Sequence, residues 1–118
     1  MTIDERTVGD VTVLGLGGRL VLYDGEADFR QTIEQLISSG RRKILIDLQD
    51  VTYIDSAGVG VLVGKYLSVR RQGGDMKLLH LSSRSLRVMT ITRLTSVFES
   101  FDSEEAALSS FSGETASH

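Results

Sequence analysis

The stretch KILIDLQDVTYIDSAGVGVLVG, residues 43–64, decides the fold of this chain. It opens with an apolar run, Ile44 to Leu48, and such a run bounded by turn-forming residues is typical of a strand that is buried on both faces. Asp55 and Ser56 follow where strand gives way to a helix-like segment. Both residue types favour the start of a helix, because a side-chain oxygen can accept a hydrogen bond from an unpaired backbone N–H. The stretch therefore predicts a central strand that leads to an accessible Ser56.

Length and composition predict one domain with its own hydrophobic core, since the chain has 118 residues and 41% of them are hydrophobic. The absence of cysteine excludes disulfides, thiolate zinc sites and thiol nucleophiles. The start carries no targeting pattern, and no run approaches about 18 uninterrupted apolar residues. We therefore expect a soluble, cytoplasmic protein without membrane insertion.

The formal net charge of -3 argues against direct nucleic-acid binding, which requires a concentrated basic surface. Two local basic groups occur, at residues 41–43 and 70–71. Both lie where helices are expected to end, so complementarity with the helix dipole explains them better than phosphate binding.

Hydrophobic periodicity and turn residues predict an α/β domain over residues 1–111, followed by a disordered tail, 112–118. The order of elements predicts a mostly parallel sheet of four to five strands with an N-terminal hairpin and about four helices. The predicted strands are 3–8, 11–16, the central one at 44–48 with a second short block at 51–54 after a polar step, 76–81 and 95–101. The predicted helices are 25–39, 57–71, one that starts at Ser82 or Ser83 and carries Leu86, Met89 and Leu94, and one after Asp102.

Caps and apolar faces are predicted for three of these helices. Asp24 is expected to cap the first helix, and Asp102 with Glu105 to form a capping box at the last. The expected apolar faces are Phe29, Ile33, Leu36 and Ile37 on the first helix, and Val59, Leu62, Val63, Tyr66 and Leu67 on the second.

Three glycines, Gly58, Gly60 and Gly64, fall within the second helix, where each costs about 1 kcal/mol relative to alanine. Gly60 and Gly64 share one face, which implies a close neighbour, either the domain's own sheet or a partner chain. Of the two, packing within the domain is the favoured interpretation. Gly58 is expected to keep side-chain bulk away from the Ser56 hydroxyl.

Ser56 is the leading candidate for chemistry. A hydroxyl at a helix N-terminus can receive a phosphate, because the helix dipole and the free N–H groups tolerate negative charge there. A plain helix cap is the alternative, and residue types alone leave both open.

Enzymatic chemistry is not expected. The chain has two histidines, His80 and His118, so a Ser-His-Asp relay would have to join Ser56 to His80 without any supporting motif. A structural role is the better interpretation of His80. No P-loop, dinucleotide fingerprint or paired-histidine metal spacing is present, so we expect no catalytic residue, cofactor or metal site.

The hexapeptide Asp55-Ser56-Ala57-Gly58-Val59-Gly60 resembles the Asp-Ser-Ser/Thr-Gly-Leu-Gly motif of the STAS family, the anti-sigma-factor antagonists. The resemblance extends to residues 43–53, 72–78 and 97–111, and covers about Val11 to Phe111. It implies a STAS-like domain.

The resemblance also implies a binding module with a phosphorylation switch. In such antagonists the serine that follows the motif aspartate, here Ser56, is phosphorylated by an anti-sigma factor that is itself a serine kinase. The unphosphorylated form binds that kinase and releases the sigma factor, and a serine phosphatase restores the hydroxyl. ATP and metal belong to these partners. The implied partner-binding residues are Asp55, Ser56, Ala57, Gly58, Val59 and Gly60.

Two positions depart from the family pattern. The family often has Gly-x-Leu-Asp after the second strand, whereas here Val21 occupies the aspartate position, and Ala57 replaces the usual second hydroxyl. Other members of the family serve as subunits of lipid-transport or stress-sensing complexes. A docking subunit without a phosphorylation switch is therefore the alternative function.

Overall fold

The computed structural model of the chain describes residues 1–83, 87 and 97–112. In that part of the chain, five strands form one sheet and three helices pack on it. The elements are β1 (Thr2–Val8), β2 (Val11–Leu20), α1 (Glu26–Ser38), β3 (Lys43–Ile54), α2 (Ser56–Arg71), β4 (Asp75–Leu79), β5 (Ser100–Phe101) and α3 (Glu104–Phe111). The strand order is β1-β2-β3-β4-β5, with β1 antiparallel to β2 and each later pair parallel. The predicted α/β fold with an N-terminal hairpin is confirmed.

The opening hairpin turns at Gly9 and Asp10, as predicted. Gly9 has a φ of 62°, which glycine adopts without steric cost. β2 then extends beyond its predicted end at Leu16, because it continues to pair with β3 as far as Leu20 opposite Ile54. The carboxyl ends of β2 and β3 therefore lie side by side, next to Asp55.

β3 is the middle strand of the sheet, and its apolar residues are buried on both faces, as predicted. Ile44, Ile46 and Leu48 belong to a core cluster with residues of α1 and α2. Leu45 points to the other face, where it belongs to a second cluster with Phe111 of α3. In the described part of the chain, α1 and α2 on one face and α3 on the other thus exclude water from the central strand, whose alternating side chains supply both cores.

α1 buries Phe29, Ile33 and Leu36, as predicted, but the predicted cap is wrong. The helix begins after Gly25, which has a φ of 94° and makes no side-chain cap. Asp24 instead closes a turn through two backbone hydrogen bonds with Val21, both 2.9 Å long, and its carboxylate lies 3.3 Å from Arg19 Nε. The Asp24 side chain is thereby directed away from the helix.

The apolar face of α2 is the predicted one except at Leu67, since Val63 and Tyr66 also pack against the core. Val59 and Leu62 are buried, as expected, but Leu67 is 47% exposed. Val61 and Val69 are buried in its place. The extra apolar residues on α2 left more than one apolar stripe compatible with the sequence.

The cap of α3 is also one residue away from its predicted position. Ser103, in extended conformation, accepts a hydrogen bond at its Oγ from the Ala106 amide at 3.3 Å. The predicted capping box of Asp102 and Glu105 is therefore wrong. Glu104, in the first turn, forms an ion pair with Arg6 of β1. The hydrogen bond that Arg6 donates to the Glu104 carboxylate raises the pKa of the Arg6 guanidinium.

The later strands are shorter than predicted. β4 ends at Leu79, because His80 adopts a φ of 60° that is incompatible with an extended strand. β5 consists of Ser100 and Phe101, opposite Leu78 and Leu79. The predicted third helix with Leu86, Met89 and Leu94, the start of the strand at Thr95, and residues 113–118 of the predicted tail lie outside the described residues.

Candidate functional site

The candidate site lies at the junction of β3 and α2, at the carboxyl edge of the parallel strands. Asp55 has an extended backbone, and its Oδ1 accepts a hydrogen bond from the Gly58 amide at 2.9 Å. Asp55 is therefore the cap of α2, which satisfies one of the amides that a helix N-terminus leaves unpaired.

The second carboxylate oxygen of Asp55 contacts the segment between β2 and α1. Oδ2 accepts a hydrogen bond from the Leu22 amide at 3.2 Å. Leu22 belongs to the turn between Val21 and Asp24, which connects β2 to α1. One carboxylate thus holds this turn against the start of α2.

Ser56 is the first residue of α2 and is exposed, as predicted. Because Asp55 supplies the cap, the alternative interpretation of Ser56 as a plain helix cap is wrong. The Ser56 hydroxyl makes no hydrogen bond to any residue that the structure describes. An oxygen in this position is open to solvent and close to the positive end of the helix dipole.

Gly58 is required by packing rather than by access to the serine. A Cβ at this position would lie 2.0 Å from the Leu20 carbonyl oxygen and 2.9 Å from Ile54 Cγ1. Only glycine allows α2 to approach the ends of β2 and β3 so closely. The structure therefore gives a different reason for this glycine from the one that we expected.

The implied partner-binding hexapeptide is only partly accessible. Gly58 and Val59 are buried, whereas Ser56 and Gly60 are exposed and Asp55 is half-buried. Ala57 is half-buried as well. A partner that docks on this conformation can contact the outer residues of the motif. That any of the six binds a partner stays a prediction.

Among the described residues nothing packs closely on Gly60 or Gly64, so the favoured interpretation of this pair, packing on the domain's own sheet, is wrong. A Cβ placed on either residue meets no atom of the described chain within 4 Å. At these two positions the surface of α2 therefore has no side chain and leaves free space next to the backbone, as far as the described residues extend.

An exposed apolar turn lies beside the serine, and it was not predicted from the sequence. Leu22 is 53% exposed and Tyr23 is 92% exposed. We call these two residues the Leu22–Tyr23 turn. Tyr23 has a φ of 64°, a region where non-glycine residues are uncommon. The Asp24-Gly25 dipeptide that follows directly was the available turn signal, but Asp24 was assigned to the cap of the first helix, so the turn was not predicted.

The two other groups of the hypothetical catalytic relay lie elsewhere. His80 Nδ1 is 3.0 Å from Asp47 Oδ1. Asp47 lies seven residues before Ile54 in β3, which corresponds to roughly 20 Å along a strand. The His80–Asp47 pair is therefore too far from Ser56 to activate it. Among the described residues, no group of three or more acidic or histidine side chains could hold a metal ion, and no helix is long and apolar enough to span a bilayer.

Comparison with known proteins identifies one family over nearly the whole chain. A family model described as the STAS domain matches residues 2–107. The anti-sigma-B factor antagonist of Bacillus subtilis is 35% identical over 95 residues, which cover 80% of this chain and 84% of that protein.

Solved structures share the fold. The crystal structure of the Thermotoga maritima protein TM1081 has a TM-score of 0.85 at 25% identity and covers 92% of this chain and 93% of that one. The anti-sigma factor antagonist SpoIIAA in its unphosphorylated form has a TM-score of 0.72 at 22% identity, over 95% of this chain and 99% of that one. Bacillus SpoIIAA in its phosphorylated form has a TM-score of 0.69 at 23% identity, over 89% and 96%.

Proposed function

The chain belongs to the STAS domain family, and on that premise we propose that it is an anti-sigma-factor antagonist controlled by phosphorylation of Ser56. The observation that carries the proposal is that two neighbouring residues at the start of α2 have separate roles. Asp55 caps the helix, and the exposed Ser56 hydroxyl next to it has no structural hydrogen bond within the described chain. A hydroxyl that the fold does not use is available for modification.

The names of similar proteins support the same function. The relative from Bacillus subtilis is an anti-sigma-B factor antagonist. SpoIIAA, which shares the fold, is known in unphosphorylated and phosphorylated forms. We extend such a switch to Ser56 because this serine occupies the accessible first position of α2.

The proposed partners are an anti-sigma factor with serine-kinase activity and a serine phosphatase. The kinase transfers the γ-phosphoryl group of ATP to Ser56 Oγ, ADP leaves, and the hydroxyl proton passes to a base of the kinase. The phosphatase hydrolyses the ester and releases inorganic phosphate. This chain supplies the acceptor and the docking surface, so it is not an enzyme and needs no cofactor or metal of its own.

The charge of a phosphate on Ser56 determines which form of the protein binds the anti-sigma factor. A phosphate on Ser56 adds about -1.5 to -2 charges at neutral pH. Within the domain, repulsion from Asp55 and attraction to the positive end of α2 act in opposite directions, so the fold should change little. A partner surface that accepts a neutral hydroxyl would instead have to desolvate a dianion, which costs several kcal/mol unless it is paired. We therefore propose that the unphosphorylated form binds the anti-sigma factor and that phosphorylation releases it.

A binding and phosphorylation experiment tests the proposal. Wild-type and Ser56→Ala baits identify partners from the native cell, and each partner is then purified and incubated with the protein and ATP. We expect phosphate at Ser56 alone, as mapped by mass spectrometry, and none in Ser56→Ala. Ser103→Ala is the matched control, because Ser103 is also an exposed serine at the start of a helix. This variant should be phosphorylated at the wild-type rate.

Two results would contradict the proposal. Undiminished phosphorylation of Ser56→Ala would assign the modification to another residue. Binding to a transport ATPase, with no serine kinase among the partners, would favour the alternative function, a docking subunit without a switch. Val21 and Ala57, the two departures from the family pattern, are the sequence features consistent with that alternative.

A further inference from the structure

The Leu22–Tyr23 turn presents two large apolar side chains to solvent immediately beside the proposed phosphorylation site. Tyr23 is almost fully exposed. Single exposed apolar residues are common on protein surfaces, but adjacent ones next to a functional site indicate an interaction surface. Tyrosine is also among the residue types that contribute most to protein interfaces, because its ring buries a large area at low entropic cost.

The backbone of this turn is held in a conformation that its sequence does not favour. Tyr23 is the third residue of the four-residue turn and has a φ of 64°. Glycine or asparagine is usual at a turn position with positive φ. Residues kept in such sparsely populated conformations concentrate at ligand-binding sites. A tyrosine here contributes nothing to the core, so its ring needs another explanation.

Contacts with the surrounding structure fix the position of the turn. The Leu22 amide donates to Asp55 at 3.2 Å. Asp24, at the end of the turn, pairs with Arg19, and the Arg19 guanidinium lies 5.7 Å from the centre of the Tyr53 ring. The turn is therefore presented in one orientation, continuous with Ser56 through Asp55. Preorganisation of this kind lowers the entropic cost of binding.

We propose that the ring of Tyr23, supported by Leu22, inserts into an apolar recess on the anti-sigma factor and determines which anti-sigma factor this chain binds. The inference rests on the proposed function, since it names the residues through which that partner is recognised. Ser56 then reports the phosphorylation state, and the Leu22–Tyr23 turn supplies the apolar contact that holds the partner next to it.

The test compares variants of the turn with an equally exposed apolar residue elsewhere. The probe is the purified anti-sigma factor retained by the Ser56→Ala bait, and its dissociation constant is measured by calorimetry. Tyr23→Ala should weaken binding by about tenfold or more, as truncation of a central aromatic residue does. Leu22→Ala should weaken it several-fold. Leu67→Ala is the matched control, because Leu67 is 47% exposed and Leu22 is 53% exposed, and it should change binding less than twofold.

Tyr23→Gly separates recognition from folding. Glycine adopts the positive φ without strain, whereas alanine does not. Tyr23→Gly should therefore have a higher thermal midpoint than Tyr23→Ala while losing binding to the same extent. A purely structural role for Tyr23 predicts the opposite, namely that binding recovers with stability. In phosphorylation assays, Tyr23→Ala should raise KM for this protein about tenfold and leave kcat unchanged, because the ring lies outside the acceptor group.

Three outcomes would overturn the inference. If wild type binds and Ser56→Asp weakens binding, but Tyr23→Ala stays within twofold of wild type, the turn is not the recognition element and the proposed function stands. If Tyr23→Ala converts a dimer of this chain into a monomer in sedimentation, the turn is a self-interface. If no purified anti-sigma factor binds wild type, the proposed function and this inference both fail.

Discussion

The Leu22 amide and the Asp55 carboxylate form a hydrogen bond of 3.2 Å between residues that are 33 positions apart in the chain. The other oxygen of Asp55 accepts from Gly58 at 2.9 Å. One side chain therefore orders both sides of the candidate site, the apolar turn and the start of α2. Asp55 combines a role in stability with a role in presenting Ser56.

Removal of this carboxylate should destabilise the fold. Asp55→Ala loses the cap of α2 and the bond to Leu22, so we expect the free energy of unfolding to fall by about 2 kcal/mol. Asp55→Asn keeps one acceptor oxygen and should lose less. Urea denaturation at neutral pH measures both. Ser56→Ala is the neighbouring control, and its midpoint should stay close to that of wild type because the Ser56 hydroxyl makes no hydrogen bond within the described chain. Equal losses for Asp55→Ala and Ser56→Ala would refute the assignment of the cap.

Two glycines of α2 should respond in opposite directions to the same substitution. Gly58→Ala places a Cβ 2.0 Å from the Leu20 carbonyl oxygen, and the resulting displacement should cost about 2 kcal/mol of stability. Gly60→Ala places a Cβ that meets no atom of residues 1–83 or 97–112 within 4 Å and should stabilise the helix by about 0.5–1 kcal/mol. Thermal unfolding of the pair tests this contrast. A loss of stability in Gly60→Ala would mean that its surface is covered.

Thr12 offers a test of polar burial. Its side chain is fully buried, and its Oγ1 has no hydrogen-bond partner among the described residues. Thr12→Val keeps the branched shape and removes the unpaired oxygen, so stability should rise by about 1 kcal/mol. Thr12→Ser, which keeps the oxygen and loses the methyl group, should be less stable than wild type. If Thr12→Val unfolds at lower urea concentration than wild type, the hydroxyl has a partner that offsets its burial.

Phosphorylation of Ser56 should leave the domain nearly unchanged. The added charge is repelled by Asp55 and attracted by the N-terminus of α2, and these effects partly cancel. Amide NMR spectra of the two states should differ mainly from Asp55 to Gly60 and at Leu22, whose amide contacts Asp55. Shifts throughout the sheet would instead indicate that release depends on refolding. Ser56→Asp should weaken partner binding only in part, because it carries less charge and volume than phosphate.

The sequence predicted the elements whose residue patterns are continuous. The run from Ile44 to Leu48 is apolar apart from Asp47, so a strand buried on both faces was the simplest interpretation. Asp55 and Ser56 marked the end of this strand. The hairpin at Gly9 followed from an unambiguous turn dipeptide. These signals come from residues close together in the sequence, and such patterns predict strands and turns without knowledge of the tertiary structure.

The features that sequence reasoning missed depend on contacts between distant residues. Asp24 has the right chemistry for a cap, but its pairing with Arg19 cannot be derived from helix propensity. Gly58 and Gly60 look alike in the sequence, and only the position of the Leu20 carbonyl distinguishes them. The exposure of Tyr23 depends on the turn that Asp55 holds. Tertiary context therefore determined the details of the site, although the motif located it.

The sheet order repeats the order of the strands along the chain. Each strand pairs with the strand synthesised just before it, so the sheet can grow at one edge while the chain leaves the ribosome. None of the five described strands has to insert between two that are already paired. The β3–α2 junction, in the middle of this sequence, can thus assemble on a completed hairpin before the last strand and helix exist.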